Sequence, residues 1–137
     1  MRTVFADSLY WLAVANPRDP WRAAARATKR ELGAVQIVTT DEVLAEFLTG
    51  LCRSGSVLRR IGAEMVRAIF VSPEVRVVPQ SRESFRRALE RYAAREDKAY
   101  SLTDCAAMNA MDAEGIKEVL TSDRHFEQDG YVALMKK

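Results

Sequence analysis

The chain has 137 residues, 48% hydrophobic and 29% charged, and its 21 basic and 19 acidic side chains leave a net charge of +2. That is the balance of one globular domain over residues 1–137, large enough to fold without disulfides or a structural metal and too evenly charged to declare a nucleic-acid or membrane partner. The only histidine is His125, which excludes a multi-histidine metal site; any resident ion would be held by oxygen ligands, favouring magnesium or manganese over zinc.

The opening MRTVFAD meets an acid before a signal-peptide core can form, and no apolar run approaches the ~18 residues of a membrane span. A cytoplasmic location is the expectation. Cys52 and Cys105 lie in helical apolar contexts without C-x-x-C or histidine partners, and read as buried free thiols.

In chain order, TVFA (3–6) predicts a first strand. SLYWLAVAN follows as a short helix, stopped by Asn16-Pro17 and Asp19-Pro20. PWRAAARATKRELG begins with proline and ends at Gly33, both good helix punctuation. VQIVTT (35–40) is a second strand. In DEVLAEFLTGLCRSG, Val43, Leu44, Phe47, Leu48 and Leu51 recur at helical spacing, and Thr39-x-x-Glu42 offers a capping box.

SVLRRIGAEMVRAIFVS predicts another helix, ended by Pro73, and VRVVP (75–79) a third strand. SRESFRRALERYAAREDK is an amphipathic helix opened by a serine cap. SLTDCAAMNAMDAEG is a smaller-residue helix ending at Gly115. KEVLTS reads as a fourth strand, RHFEQ as a short turn or helical piece, and YVALM as a fifth strand. This alternation predicts an α/β three-layer sandwich around a mostly parallel sheet of about five strands, with ligands bound beyond the strands' carboxyl ends.

The chain delivers acids to that edge. Asp7 ends the first strand and Asp123 the fourth. Asp104 lies in the opening turn of the SLTD helix, and Glu46 in the helix after the second strand. Each of the three aspartates has a bland reading as a helix or turn cap: Asp7 before Ser8, Asp104 with Ser101, Asp123 before RHFEQ. Glu46 falls roughly 140° from the apolar stripe at about 100° per residue, so periodicity places it in solvent. Carboxylates converging on one edge repel and raise each other's pKa, and a divalent cation relieves them. Such ions activate water and stabilise a phosphodiester's leaving oxygen, with helix N-termini facing the same anions.

FADSLYWLA, VLAEF, YSLTDCAAM and LTSDRHF, in this order and spacing, resemble the PIN-domain pattern over nearly the whole chain. The pattern is most similar to the VapC type, the ribonuclease toxins of bacterial and archaeal toxin–antitoxin pairs. By matching position, the resemblance implies that Asp7, Glu46, Asp104 and Asp123 are catalytic, metal-binding acids. The Glu46 assignment rests on the VLAEF match, with Asp41 and Glu42 close by. Ser8 and Thr121 match polar positions lining the family's site. Magnesium or manganese, an RNA substrate, a homodimer and a cognate antitoxin covering the groove are likewise implied. Asp97 is commonly acidic in such sequences, although loop solvation is the favoured reading.

Arg82, Arg86, Arg87, Arg91 and Arg95 form one basic helix face, and Arg53, Arg59, Arg60 and Arg67 another. Both read as solvated faces with intrahelical pairs, with phosphate contact as the functional alternative. His125, two residues after Asp123, has a reading as a phosphate donor, set aside because a metal-bound water needs no histidine base. Tyr10, Trp11 and Leu12 read as packing against the core or a partner subunit rather than stacking on bases, and Met108 and Met111 as core filling. Two other functions compete with a metal-dependent endoribonuclease. One is a non-catalytic PIN-like module that binds RNA or protein. The other is an aspartyl phosphatase, disfavoured because Asp7-Ser8-Leu9 lacks the second acid of Asp-x-Asp.

Overall fold

TVFA pairs as the strand β1 (Thr3–Ala6), whose Val4, Phe5 and Ala6 are fully buried in the computed structural model, which describes residues 1–137. The run lacks polar alternation because helices cover both faces of the sheet. The chain continues through α1 (Ser8–Ala15), α2 (Arg22–Leu32), β2 (Gln36–Thr40), α3 (Asp41–Leu51), α4 (Ser56–Val71), β3 (Val75–Val78), α5 (Arg82–Ala94), α6 (Leu102–Glu114), β4 (Glu118–Leu120) and β5 (Val132–Ala133). A 3-10 turn over Arg124–Asp129 joins the last two strands.

The five strands lie in the order β3-β2-β1-β4-β5, and every pair is parallel. Phe5 stands opposite Val38 on one side and Val119 on the other. Strand order runs outward through β2 and β3, then returns past β1 to β4. With right-handed crossovers, α1 to α4 cover one face and α5 and α6 the other. The order therefore reverses between β1 and β4, and a crevice opens there beyond their carboxyl ends. Asp7 follows β1 directly, and Thr121 follows β4.

Each helix has an identifiable start or stop. Gly33 and Gly115 take positive φ, 64° and 68°, after α2 and α6, where a Cβ would be strained. Ser81 and Ser84 cap α5 reciprocally. The core gathers Phe5, Phe47, Leu51, Met108, Met111 and Phe126, with Tyr10 and Trp11 buried beside it.

Local details differ from the sequence reading. The cap of α3 is Thr40, whose hydroxyl accepts from the Val43 amide at 3.1 Å. Thr39 instead donates to the Ala6 carbonyl at 2.9 Å, tying β2 to β1, and Glu42 has no capping role. Helix α5 stops at Ala94, short of Lys98, and β5 is only two residues long. Cys105 is buried as expected, but Cys52 is exposed because it follows the last turn of α3.

Arg91 and Arg95 are not part of a solvated face. They reach away from α5 to Asp129, whose carboxylate also accepts from the Tyr100 hydroxyl at 3.0 Å. Arg91 further binds Asp112 at 2.9 Å and Asn109 at 3.1 Å on α6. Burial alone would raise the Asp129 carboxyl, but hydrogen bonds from Arg95, Arg91 and Tyr100 hold it below the usual carboxylate range. This cluster pins the 3-10 turn against α5 and α6.

Candidate active site

Asp7 occupies the cap position of α1 but makes no side-chain capping bond. It is 4% exposed, so its carboxylate is buried at the sheet's carboxyl edge without serving the helix. Thr121, fully buried at the end of β4, donates its hydroxyl to Asp7 Oδ2 at 2.8 Å. The same hydroxyl oxygen accepts from the Asp123 amide at 3.0 Å. One threonine thus joins the acids of the two strands where the sheet reverses.

Burial pushes the Asp7 carboxyl up to about 7 from an ordinary 3.8, against the pull of the Thr121 hydroxyl and the adjacent Ser8 backbone, and the charges of Asp104 and Glu46 push it further. Those last causes place three acids in one electrostatic neighbourhood. Glu46, assigned to solvent by helical spacing, is half-buried. Ser8 donates to its Oε1 from the first residue of α1. The neighbouring helix, absent from a single-helix wheel, covers this flank of α3.

Asp104 is 8% exposed in the first turn of α6. Its Oδ2 accepts from the Ser101 amide at 3.0 Å, while its own amide donates to the Ser101 hydroxyl at 3.0 Å. The capping reading of Asp104 therefore holds, and the cap fixes the carboxylate at the site. Asp123 likewise caps its turn, accepting from the His125 amide at 3.1 Å through Oδ1. Of the bland readings, only that of Asp7 fails.

His125 stands closer to the site than sequence reasoning placed it. Its Nε2 lies 3.0 Å from Asp104 Oδ2 and its Nδ1 2.6 Å from Asp123 Oδ1. Neither approach is aligned as a hydrogen bond, and Nε2 is the one buried side-chain polar atom without a hydrogen-bond partner. The ring is held by stacking on Phe126 at 5.2 Å and by Tyr100 at 5.5 Å. Its place two residues after a site aspartate was the available signal.

The acids are neighbours rather than a finished cage: no three histidine, cysteine or acidic side chains are grouped tightly enough to hold an ion as they stand. Their donor chemistry nevertheless fits a hard divalent cation. Side-chain oxygens supply all the acidic donors, and each carboxylate has one oxygen fixed by a protein donor: Thr121 on Asp7, Ser8 on Glu46, Ser101 on Asp104, the His125 amide on Asp123. Outer hydrogen bonds of this kind orient metal-ligating carboxylates, and leave the second oxygen available. The α1 and α6 N-termini open on the same crevice, adding positive dipole ends.

A parallel α/β sheet with acids collected at its switch point defines a class in which the chain can be placed. Residues 4–129 match the family model of the PIN domain, and the chain belongs to that family. No curated protein matches it in sequence. Among solved structures it is similar to that of Mycobacterium tuberculosis VapC20, described as a Sarcin-Ricin loop cleaving toxin. The TM-score is 0.86 at 24% identity, covering 97% of this chain and 99% of that one. That likeness establishes the shared fold. No helix here is long and apolar enough to cross a membrane.

Proposed function

We propose that the chain is a divalent-metal-dependent endoribonuclease, the VapC-type toxin of a toxin–antitoxin pair, with Asp7, Glu46, Asp104 and Asp123 as the acids that hold magnesium or manganese. The observation that carries this reading is the Asp7 carboxylate, buried without a capping role and crowded by Asp104 and Glu46. A buried charge among like charges is unfavourable unless a cation compensates it.

A bound ion of this kind supplies an activated water and a counter-charge for the leaving oxygen of a phosphodiester. The chain's own residues set the stage. Thr121 and Ser8 hold Asp7 and Glu46 in register across β1, β4 and α3. Ser101 holds Asp104, and the α1 and α6 N-termini face the incoming phosphate. Exposed Arg53, Arg59, Arg60 and Arg67 supply positive charge for the flanking backbone.

The test is cleavage of structured and single-stranded RNA, beginning with the sarcin–ricin loop named for VapC20, in Mg2+ or Mn2+ and in EDTA. Asp7→Asn and Asp104→Asn should each abolish cleavage without loss of folded structure. Full cleavage in EDTA, or by both variants, ends the proposal. A homodimer, a cytoplasmic location and an antitoxin encoded beside the gene complete the reading. Sedimentation of the purified chain tests the dimer, and co-expression with the neighbouring open reading frame tests the antitoxin.

A further inference from the structure

From a cavity between α3 and α6, one helical turn from the acids, we infer that the chain selects a guanine base beside the phosphodiester it cuts. The inference rests on the nuclease reading above and names what that site selects. Helix α3 packs against α6, and each helix carries one of the acids, Glu46 on α3 and Asp104 on α6. Glu42 lies one turn back along α3 on the same face as Glu46. On α6, Ala106, Ala110 and Ala113 follow Asp104 at helical spacing. Together with Val78 and Pro79 at the end of β3, these side chains line a cavity of about 150 Å3. Four residues of helix rise by about 6 Å, so both walls put the cavity within reach of the nucleotide next to the acids. Its size suits a single flat ring system rather than a whole drug-sized ligand.

The floor is apolar, and the hydrogen-bonding groups left open around it define the occupant. Thr40 lines the cavity at 2% exposure; its hydroxyl accepts from the Val43 amide and donates to no group of the chain. Asn109 engages its Oδ1 with Arg91 and keeps both amide protons. Arg87 engages only its Nε, with Glu83, and its two terminal nitrogens are open. Glu42 accepts from Gln80 through Oε2 at 3.3 Å, which leaves Oε1 and a lone pair on Oε2.

One carboxylate and several donors around an apolar floor discriminate among bases. Guanine alone has two adjacent N–H donors, at N1 and the 2-amino group, which a carboxylate accepts together. Its O6 and N7 accept from side chains such as Arg87 and Asn109. Adenine and cytosine set an amino group beside a bare ring nitrogen that the carboxylate repels, and uracil offers a single donor. Unstacked bases of single-stranded RNA are read along this edge.

The full-length chain with Mn2+ is given a randomised pool of single-stranded oligoribonucleotides, and the cut ends are sequenced. Wild type should enrich guanine about tenfold at one fixed position beside the cut. Glu42→Gln keeps the side chain's size and removes the paired acceptor. It should level that preference without changing Mn2+ affinity in calorimetry. Ala110→Leu fills the cavity and should do the same. In EDTA, guanosine 5′-monophosphate should shift the Ala110 amide resonance of wild type, and inosine 5′-monophosphate, lacking the 2-amino group, should bind about tenfold more weakly. Cleavage with no base preferred, or with another base preferred, overturns the inference and leaves the nuclease reading standing. A guanine preference that survives in both folded variants, or equal binding of the two mononucleotides, does the same. A wild-type chain that cuts no RNA overturns the nuclease reading and this inference with it.

Discussion

Asp7 puts one carboxyl group under opposing demands. Its pKa is raised from 3.8 to about 7, chiefly by burial, so the metal-free folded chain keeps a proton that the unfolded chain releases. Between about pH 4 and pH 7 the folded state binds more protons, so stability falls as pH rises. The total loss is as much as about 4 kcal/mol by linkage, reached above pH 7. Urea unfolding in EDTA at pH 5 and pH 8 measures it. Asp7→Asn should flatten this contribution and make the metal-free chain more stable than wild type at pH 8. Equal wild-type and Asn stability at both pH values would refute the burial argument.

Among elements, the 3-10 turn depends most on long-range ionic contacts. Asp129, its side chain 7% exposed, accepts from Arg91, Arg95 and Tyr100. Asp129→Ala should destabilise the chain by about 2–4 kcal/mol, below the largest cost of breaking a buried pair because Arg95 is partly solvated. Thermal or urea unfolding reads that loss directly. An effect within about 0.5 kcal/mol, the range of ordinary surface substitutions, would show the cluster to be ornamental.

The elements themselves were largely readable from the sequence. The β-branched runs TVFA, VQIVTT and VRVVP became β1 to β3 with shifts of a residue, and Gly33 and Gly115 end helices as glycines do. What escaped were properties set by a second element. Glu46 is drawn inward by Ser8 of α1, which a wheel of α3 alone does not contain. Arg91 and Arg95 reach partners more than 30 positions away at Asp129, beyond the reach of an i,i+4 rule. The four acids became recognisable through their motifs and order, and periodicity never nominated them. His125 needed coordinates, because its proximity to Asp104 depends on the packing of Tyr100 and Phe126.

For the whole molecule, a cation that compensates these carboxylates must bind the folded chain better than the unfolded one. Mn2+ at one hundred times its dissociation constant should therefore add about 2.7 kcal/mol to unfolding free energy, rising with the logarithm of concentration. Differential scanning calorimetry checks this, and Asp7→Asn should remove most of the rise. A melting temperature indifferent to millimolar Mn2+ and Mg2+ would contradict the proposed centre.

The central position of β1 has a consequence for biogenesis. One flank is met by β2 within the first third of the chain, but the other waits for β4, and the hydroxyl that holds Asp7 belongs to Thr121. During synthesis from the amino terminus, the early strands can assemble while the crevice still lacks its far wall. A truncated product ending before β4 carries Asp7, Glu46 and Asp104 but lacks Thr121 and Asp123, and has no means of closing around them. Premature termination would thus yield a fragment with an open crevice, and the wall that Thr121 and Asp123 supply is in place only when the last quarter of the chain has been made.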